Sequence, residues 1–142
     1  MDTIMNLASS SDWEQVRELL ALCMYPNEEK INRQAEMYQS DESLQLYGMM
    51  VQEELVGLIG ISKHSYGEAV LQHIAVKQNH RGQGIGRSMI NEFMKSNNIT
   101  RLEAETDNDA VGFYRGVGFE ITSLGEKYPG VERFLCILKR LK

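Results

Sequence analysis

Residues 78–88, QNHRGQGIGRS, place three glycines at alternate positions, Gly82, Gly84 and Gly86, directly before an apolar helical pattern. Glycine in a helical region costs roughly 0.5–1 kcal/mol relative to alanine, so the cluster indicates a backbone conformation or a close contact that a side chain would prevent. An apolar strand pattern, EAVLQHIAVK (68–77), precedes the cluster. A strand, a glycine-rich turn and the free amides of a helix start together predict an anion site, with phosphate as its natural ligand.

Two common phosphate-binding motifs fit this stretch poorly. A GxGxxG dinucleotide fingerprint requires glycine at position 87, which is Arg87, although Glu103 lies about where a ribose-binding acid is expected. A P-loop requires lysine and then serine or threonine after its last glycine, whereas Arg87 and Ser88 follow Gly86.

The patterns outside the glycine turn predict one α/β domain over residues 1–142. A short edge strand is expected in 3–8, a helix capped by serine or aspartate in 9–24 and ended by Pro26-Asn27, and a more polar helix in 27–40. Residues 44–63 read as an antiparallel hairpin with the turn QEE. Strand 68–77 is apolar almost throughout, which predicts burial on both faces.

The second half continues with a helix, a strand, a helix and two strands. The helix after the glycines has an apolar face and is expected to stop at SNN (96–98), and RLEAET (101–106) alternates as a strand does. A short helix in 107–119 is predicted to turn Ala110, Phe113, Tyr114 and Val117 to one face and to end at Gly118. Two strands flanking the turn KYPG (127–130) complete the order.

Composition excludes several classes of protein. A net charge of −5 argues against nucleic acid as the main partner, because such binding requires a basic surface. The longest strongly apolar stretch, LVGLIGI, is too short to cross a bilayer, and residues 1–15 do not form a signal peptide, so a cytoplasmic location is expected. Cys23 and Cys136 lack metal-ligand spacing, which predicts two buried free thiols and no metal.

Two segments resemble the GCN5-related N-acetyltransferases. IAVKQNHRGQGIGRSMI (74–90) is similar to the family's acetyl-CoA motif, Arg/Gln-x-x-Gly-x-Gly/Ala, through Arg81, Gly84 and Gly86. ETDNDAVGFYRGVGFE (105–120) resembles a later segment, in which an asparagine precedes a helix that carries Phe-Tyr and ends in Gly-Phe. Gln78 stands where many members have proline, a difference in turn stiffness. The resemblance implies a mixed, mostly antiparallel sheet, about four flanking helices and splayed central strands.

The resemblance also implies a co-substrate and a reaction. Acetyl-CoA would place its pantetheine arm along the main chain of Ile74 and Val76, with the Ile74 amide polarising the thioester carbonyl and Asn108 beside the arm. The amides from Gly82 to Ser88 would hold the pyrophosphate. The cofactor-binding residues implied are Ile74, Ala75, Val76, Arg81, Gly82, Gln83, Gly84, Ile85, Gly86, Arg87, Ser88, Asn108 and Tyr114.

In the implied reaction, an amine attacks the thioester directly, without an enzyme nucleophile or a metal. Tyr114 matches the family's proton donor, and Glu103 matches the base of ribosomal-protein N-terminal acetyltransferases. Each has a plainer interpretation, because Tyr114 lies on an apolar helix face and Glu103 alternates outward on a strand. His73 and Glu68 are alternative bases near the same splay, and a histidine on a buried strand is more often a structural donor.

The acceptor and the class of function have alternatives. A small-molecule amine and a protein N-terminus or lysine are both compatible with the sequence, and Glu28, Glu29, Glu126 and Glu132 favour a cationic acceptor unless they are ordinary surface residues. A non-catalytic acyl-CoA-binding regulatory module is the alternative function. A homodimer is also left open.

Overall fold

In the described part of the chain, seven strands form one sheet in the order β1-β2-β3-β4-β5-β7-β6, with neighbours antiparallel except for the parallel pair β4 and β5. The computed structural model describes residues 4–8, 12–25 and 27–141. The predictions made for Thr3, for the serine caps at 9–11 and for Pro26 lie outside these residues. The strands are β1 Met5–Asn6, β2 Leu44–Val51, β3 Glu54–Lys63, β4 Glu68–Val76, β5 Arg101–Asp107, β6 Glu120–Tyr128 and β7 Val131–Lys139.

Within the described residues, four α-helices flank the sheet, as expected from the sequence. They are α1 Trp13–Cys23, α2 Glu28–Ser40, α3 Ile85–Ser96 and α4 Val111–Val117, with a 3₁₀ turn at Gln78–His80. Side-chain caps stabilise the N-termini of α1 and α2: the Asp12 side chain accepts from the Gln15 amide, and the Asn27 side chain accepts from the Lys30 amide. None of the helices in the described ranges combines the length and hydropathy needed to cross a bilayer.

The turn between β2 and β3 is shorter than predicted. Glu54 already belongs to β3, so only Gln52 and Glu53 form the turn, both with positive φ of 49° and 68°. Two residues with positive φ are the geometry that matches the twist of a tight hairpin.

Each face of the sheet carries its own apolar layer. Helices α1 and α2 bury Val16, Leu19, Leu20 and Ile31 on one face, here called the α1/α2 face. Helix α3 buries Met89, Ile90 and Phe93 on the opposite face, here called the α3 face, and Tyr114 of α4 joins that layer. The apolar face predicted for the helix after the glycines is confirmed.

Strands β4 and β5 pair over only three positions and then separate. Glu68, Ala69 and Val70 lie beside Arg101, Leu102 and Glu103, and no pairing joins the two strands beyond that point. The prediction that strand 68–77 is buried on both faces is therefore wrong: Gln72 is exposed, and Ile74 and Val76 are half-buried, because one edge of this half of β4 lacks a neighbouring strand. The expected splay between central strands is confirmed.

Two further predictions about burial are wrong. Cys136 is buried in the core, but Cys23 is an exposed residue at the end of α1, where the helix layer stops. Phe113, expected on the core face of α4, is 38% exposed, and Val111 is buried instead. Helix α4 lies over the open end of the splay, so its Phe113 face meets a cavity rather than the core.

Candidate active site

A cavity of about 660 Å³ lies at the open end of the β4/β5 splay. Its walls come from β4, the glycine turn, the start of α3 and α4, with Leu22 of α1 on one side. The predicted cofactor residues that line it are Ile74, Ala75, Val76, Arg81, Gly82, Gly84, Ile85, Gly86, Arg87 and Tyr114.

The glycine turn has the properties of a ligand cradle. Gly82 and Gly84 have φ of +79° and +78°, a conformation that glycine adopts without the steric cost of a side chain. A Cβ at either position would meet no atom within 4 Å, so these glycines face open space in the cavity wall rather than protein. Gly86 is different, because a Cβ there would lie 3.0 Å from the Phe113 ring. The residues present therefore fit a bulky anionic ligand at the turn.

The start of α3 supplies free amides to this cradle. Gly84 is the N-cap, so the amides of Ile85, Gly86 and Arg87 have no partner within the helix. The Ser88 amide donates to the Gly84 carbonyl at 2.9 Å. The prediction that the Ser88 amide holds a pyrophosphate is therefore wrong, because this amide already belongs to the helical ladder.

Two arginines frame the turn and are fixed by carbonyl groups. Arg81 Nε donates to the Val76 carbonyl at 3.0 Å, and Arg87 Nη2 donates to the Gly116 carbonyl at 2.6 Å. The second contact places a cation at the C-terminus of α4, where the helix dipole favours it, and links α3 to α4. Both guanidinium groups lie in the cavity wall and add positive charge beside the free amides.

The segment that leads into the turn is held by an ion pair. Lys77 Nζ lies 2.7 Å from Glu54 Oε2, and His80 Nε2 lies 3.6 Å from Glu54 Oε1. The hydrogen bond and charge of Lys77 hold the pKa of the Glu54 carboxyl below its usual range. The Lys77–Glu54 pair thus links the end of β4 to β3, and His80 lies beside the same carboxylate.

Tyr114 is a buried residue that lines the cavity. Its ring packs edge to face against Phe113 and Phe119, with centroids 5.2 Å apart in both cases. Among the described residues its hydroxyl has no hydrogen-bond partner, and its oxygen is not sealed from solvent. Burial raises its pKa to about 12, so the hydroxyl keeps its proton at neutral pH.

Glu103 lies near the closed end of the splay. It is paired in register with Val70, its side chain is 33% exposed, and its carboxylate is 4.0 Å from Arg101 Nη2. Leu102 and Ala104 point into the core, so Glu103 and Glu105 share the α1/α2 face, as the alternation predicts. Glu103, Gln83, Ser88 and Asn108 are not part of the cavity wall.

Several residues of the cavity wall are not among those predicted from the sequence. Leu22, Asp109, Gly112, Phe113 and Gly116 all line it. Gly112 and Gly116 could have been predicted as cavity residues. Each glycine destabilises a helix by close to 1 kcal/mol, so two glycines spaced four apart on α4 indicate a helix face that must stay free of side chains. A Cβ at either glycine would meet no atom within 4 Å.

Comparison with known proteins agrees with this architecture. Residues 13–119 match the model of the acetyltransferase (GNAT) family. A streptothricin acetyltransferase of Escherichia coli is 36% identical over 89 residues, and an uncharacterised N-acetyltransferase of Bacillus methanolicus is 36% identical over 72 residues. The matched segments span 58% and 49% of this chain, but only 51% and 60% of those relatives.

The fold is also that of a solved acetyltransferase. A crystal structure of an aminoglycoside 6′-N-acetyltransferase complexed with coenzyme A superposes with a TM-score of 0.81 at 18% identity, covering 96% of each chain. The family match covers the glycine turn, the splayed strands and α4, which together form the cavity. The chain therefore belongs to the acetyltransferase (GNAT) family.

Proposed function

We propose that residues 1–142 form a single acetyltransferase domain that transfers an acetyl group from acetyl-CoA to a primary amine by direct attack within a ternary complex. Acetyl-CoA, when bound, supplies the acetyl thioester. The observation that carries the proposal is Tyr114, a cavity-lining residue whose ring is buried and whose hydroxyl is not sealed from solvent and lacks a hydrogen-bond partner in the described part of the chain. A purely structural tyrosine would be expected to bond its buried hydroxyl.

The chain's own groups divide the work of binding. The free amides of Ile85, Gly86 and Arg87, with the charges of Arg81 and Arg87, hold the diphosphate at the glycine turn. The main chain of Ile74 and Val76 lies along the unpaired edge of β4 and takes the pantetheine as a further strand would. The remaining predicted contacts, Gln83 and Asn108, lie next to the cavity wall along the chain and act from its rim.

Two side chains act on the reacting groups, one as a base and one as a hydrogen-bond donor. Glu103 takes the proton of the attacking amine, which has a pKa of about 10.4 when lysine-like and must be neutral to attack. Tyr114 donates a hydrogen bond to the leaving sulfur. Full proton transfer from a pKa of about 12 to a thiolate with a conjugate-acid pKa of ~8.5 is uphill by about 5 kcal/mol, so the bond acts by stabilising the developing charge.

The test is the release of free thiol from acetyl-CoA with a panel of amines, compared between wild type and Tyr114→Phe. The panel includes streptothricin, because one relative bears that substrate's name, with aminoglycosides, polyamines, amino acids and short peptides. We expect Tyr114→Phe to lower kcat by roughly 10²–10³, the loss typical of one hydrogen-bond donor to a developing negative charge, while acetyl-CoA binding and stability stay unchanged. Thiol release by wild type also distinguishes an enzyme from a non-catalytic acyl-CoA-binding module.

Tyr47→Phe is the matched control. Tyr47 is also a buried tyrosine, but its hydroxyl donates to Gln45 and it lies on the α3 face, away from the cavity. Removing that hydroxyl should lower stability and leave turnover intact. Wild-type turnover by Tyr114→Phe with a good amine would make Tyr114 a core residue and contradict its role.

A further inference from the structure

A tyrosine and a histidine form a hydrogen-bonded pair on the α1/α2 face of the sheet. The Tyr38 hydroxyl of α2 lies 2.6 Å from Nδ1 of His73 on β4, and the two rings meet edge to face with centroids 5.7 Å apart. Tyr38 is buried and His73 is half-buried. His73 directly precedes Ile74, which lines the cavity. The pair therefore stands beside the site but has no role in the reaction described so far.

The backbone is shaped to allow this contact. Gly60 of β3 is the register partner of His73, and a Cβ at Gly60 would lie 1.9 Å from the Tyr38 hydroxyl. The register then passes to Ile61 and Leu71, so Gln72 is an extra residue that makes a β-bulge. Bulges often occur beside active sites, where they redirect a side chain. The missing Cβ at Gly60 thus leaves room for the Tyr38 hydroxyl, and the bulge lies directly beside His73.

The hydrogen bond fixes which nitrogen of His73 carries the proton. Burial raises the pKa of Tyr38 and lowers the pKa of His73, so both groups are uncharged at neutral pH. No other acceptor for the Tyr38 proton is found among the described residues. The buried phenol therefore donates to Nδ1, since the reverse arrangement would leave its proton unbonded. The ring proton consequently stays on Nε2.

The Nε2 atom of His73 is accessible to solvent. It has no hydrogen-bond partner within residues 4–8, 12–25 and 27–141, and it is not a sealed atom. A half-buried ring with one nitrogen fixed thus presents an oriented N–H donor beside the splay.

Two carboxylates lie on the same face as this donor. Glu103 and Glu105 of β5 point to the α1/α2 face, while α1 packs mainly on β3 and β4. Arg101 and Arg133 contact these carboxylates and offset part of their charge. Beyond β4 this face therefore combines an N–H donor with carboxylates that attract an ammonium group.

We propose that His73 Nε2–H binds an oxygen atom of the amine acceptor, so that the preferred acceptor is an amine with a hydroxyl or carbonyl oxygen close to its nitrogen. The inference rests on the proposed function, because it assigns the acceptor side of the same reaction. His73 is then a specificity-determining residue. Tyr38 and Gly60 are positioning residues that act through it.

The first test is ¹⁵N NMR of histidine-labelled protein saturated with coenzyme A, which binds without turnover. We expect the His73 nitrogens to show the neutral Nε2–H tautomer at pH 7.5, and Tyr38→Phe to allow a mixture of tautomers. A pure Nδ1–H tautomer, or a charged ring, in wild type would overturn the proposal.

The second test titrates three amines of similar size into the same labelled complex. Ethanolamine carries a hydroxyl, glycinamide carries a carbonyl, and propylamine carries neither. We expect the His73 Nε2–H resonance to shift with ethanolamine, with glycinamide or with both, which also distinguishes the two oxygen types, and to remain in place with propylamine. Equal shifts with all three amines, or no shift with any, would overturn the proposal.

Steady-state kinetics of two matched His73 variants provide a third test. His73→Leu should raise KM for an oxygen-bearing acceptor roughly 3- to 10-fold with little change in kcat. His73→Gln should restore most of the loss, because its amide N–H replaces Nε2–H. An equal loss in both variants would contradict the assigned contact. Absence of thiol release by wild type would instead contradict the proposed function, since the NMR results do not depend on turnover.

Discussion

Glu103 is the residue to which we assign the proton of the attacking amine. Glu103→Gln should lower kcat/KM at neutral pH and have a smaller effect at high pH, where more of the amine is already neutral. Glu105→Gln is the matched control, because Glu105 lies on the same face of β5 but at an exposed position bonded to Arg133. The measurement is a pH–rate profile of both variants on one confirmed amine.

Two outcomes of this pH–rate profile would contradict the role assigned to Glu103. If Glu103→Gln follows wild type across the whole pH range, Glu103 is a solvated strand residue and the proton leaves through another group or through water. A larger effect of Glu105→Gln than of Glu103→Gln would move the base two residues along β5.

Some individual residues could not have been predicted from sequence spacing. The free amides of the turn follow from the position of the N-cap, and the sequence pattern does not show that Gly84 is this cap and that the Ser88 amide is therefore bonded within the helix. Phe113 falls on the apolar side of a helical wheel, but its ring packs over Gly86 at the cavity. The sequence did not indicate the hydrogen bond between Tyr38 and His73, because the two residues lie 35 positions apart in the chain.

At the scale of elements, one carboxylate holds the turn that leads into α4, whose N-cap residue Ala110 makes no side-chain cap bond. Asp107 Oδ1 accepts from the amides of Asp109 and Ala110 at 3.0 and 3.2 Å. Asp107→Ala should cost about 1 kcal/mol, or roughly 2–4 °C in Tm, and should also lower turnover because α4 carries Tyr114. Asp107→Asn keeps an acceptor oxygen and is the control. Calorimetric unfolding of both variants measures the difference. Equal losses of Tm would show that the hydrogen bonds of Asp107 do not contribute to stability.

Element order was predictable because apolar spacing and turn residues act locally. All four helices and all seven strands have counterparts in the sequence patterns, including the Gly118 stop of α4, where φ is +113°. The splay was expected only through family resemblance. The apolar residues of β4 look like those of a fully paired strand, and the loss of pairing after Val70 depends on β5, which lies 25 or more residues further along the chain.

For the whole molecule, His73 makes stability depend on pH. Its folded-state pKa is lowered by burial against an unfolded value near 6.5, so the unfolded state binds more protons as pH falls. The stability contributed by the neutral ring is present above pH ~6.5 and is lost as pH falls through the folded pKa. Tyr38 of α2 contacts the ring, and Glu103 and Glu105 of β5 lie on the same face of the sheet.

We therefore expect Tm to fall between pH 7.5 and pH 5 more steeply in wild type than in His73→Gln. Differential scanning calorimetry across this range checks the difference, and pH 7.5, where the folded ring is neutral, provides the reference. A parallel fall in both proteins would mean that the lowered pKa of His73 does not contribute to acid sensitivity.

The most direct measurement is calorimetric titration of acetyl-CoA into Gly84→Val and Gly130→Val. Both glycines have φ near +79° and a Cβ position free of contacts within 4 Å, but Gly130 lies in the exposed β6–β7 turn. Both variants carry the same backbone strain, whereas only valine at 84 occupies the cradle. We predict that Gly84→Val weakens binding more than tenfold, about 1.4 kcal/mol or more, and that Gly130→Val binds as wild type does. Unchanged affinity in a folded Gly84→Val variant would contradict the account.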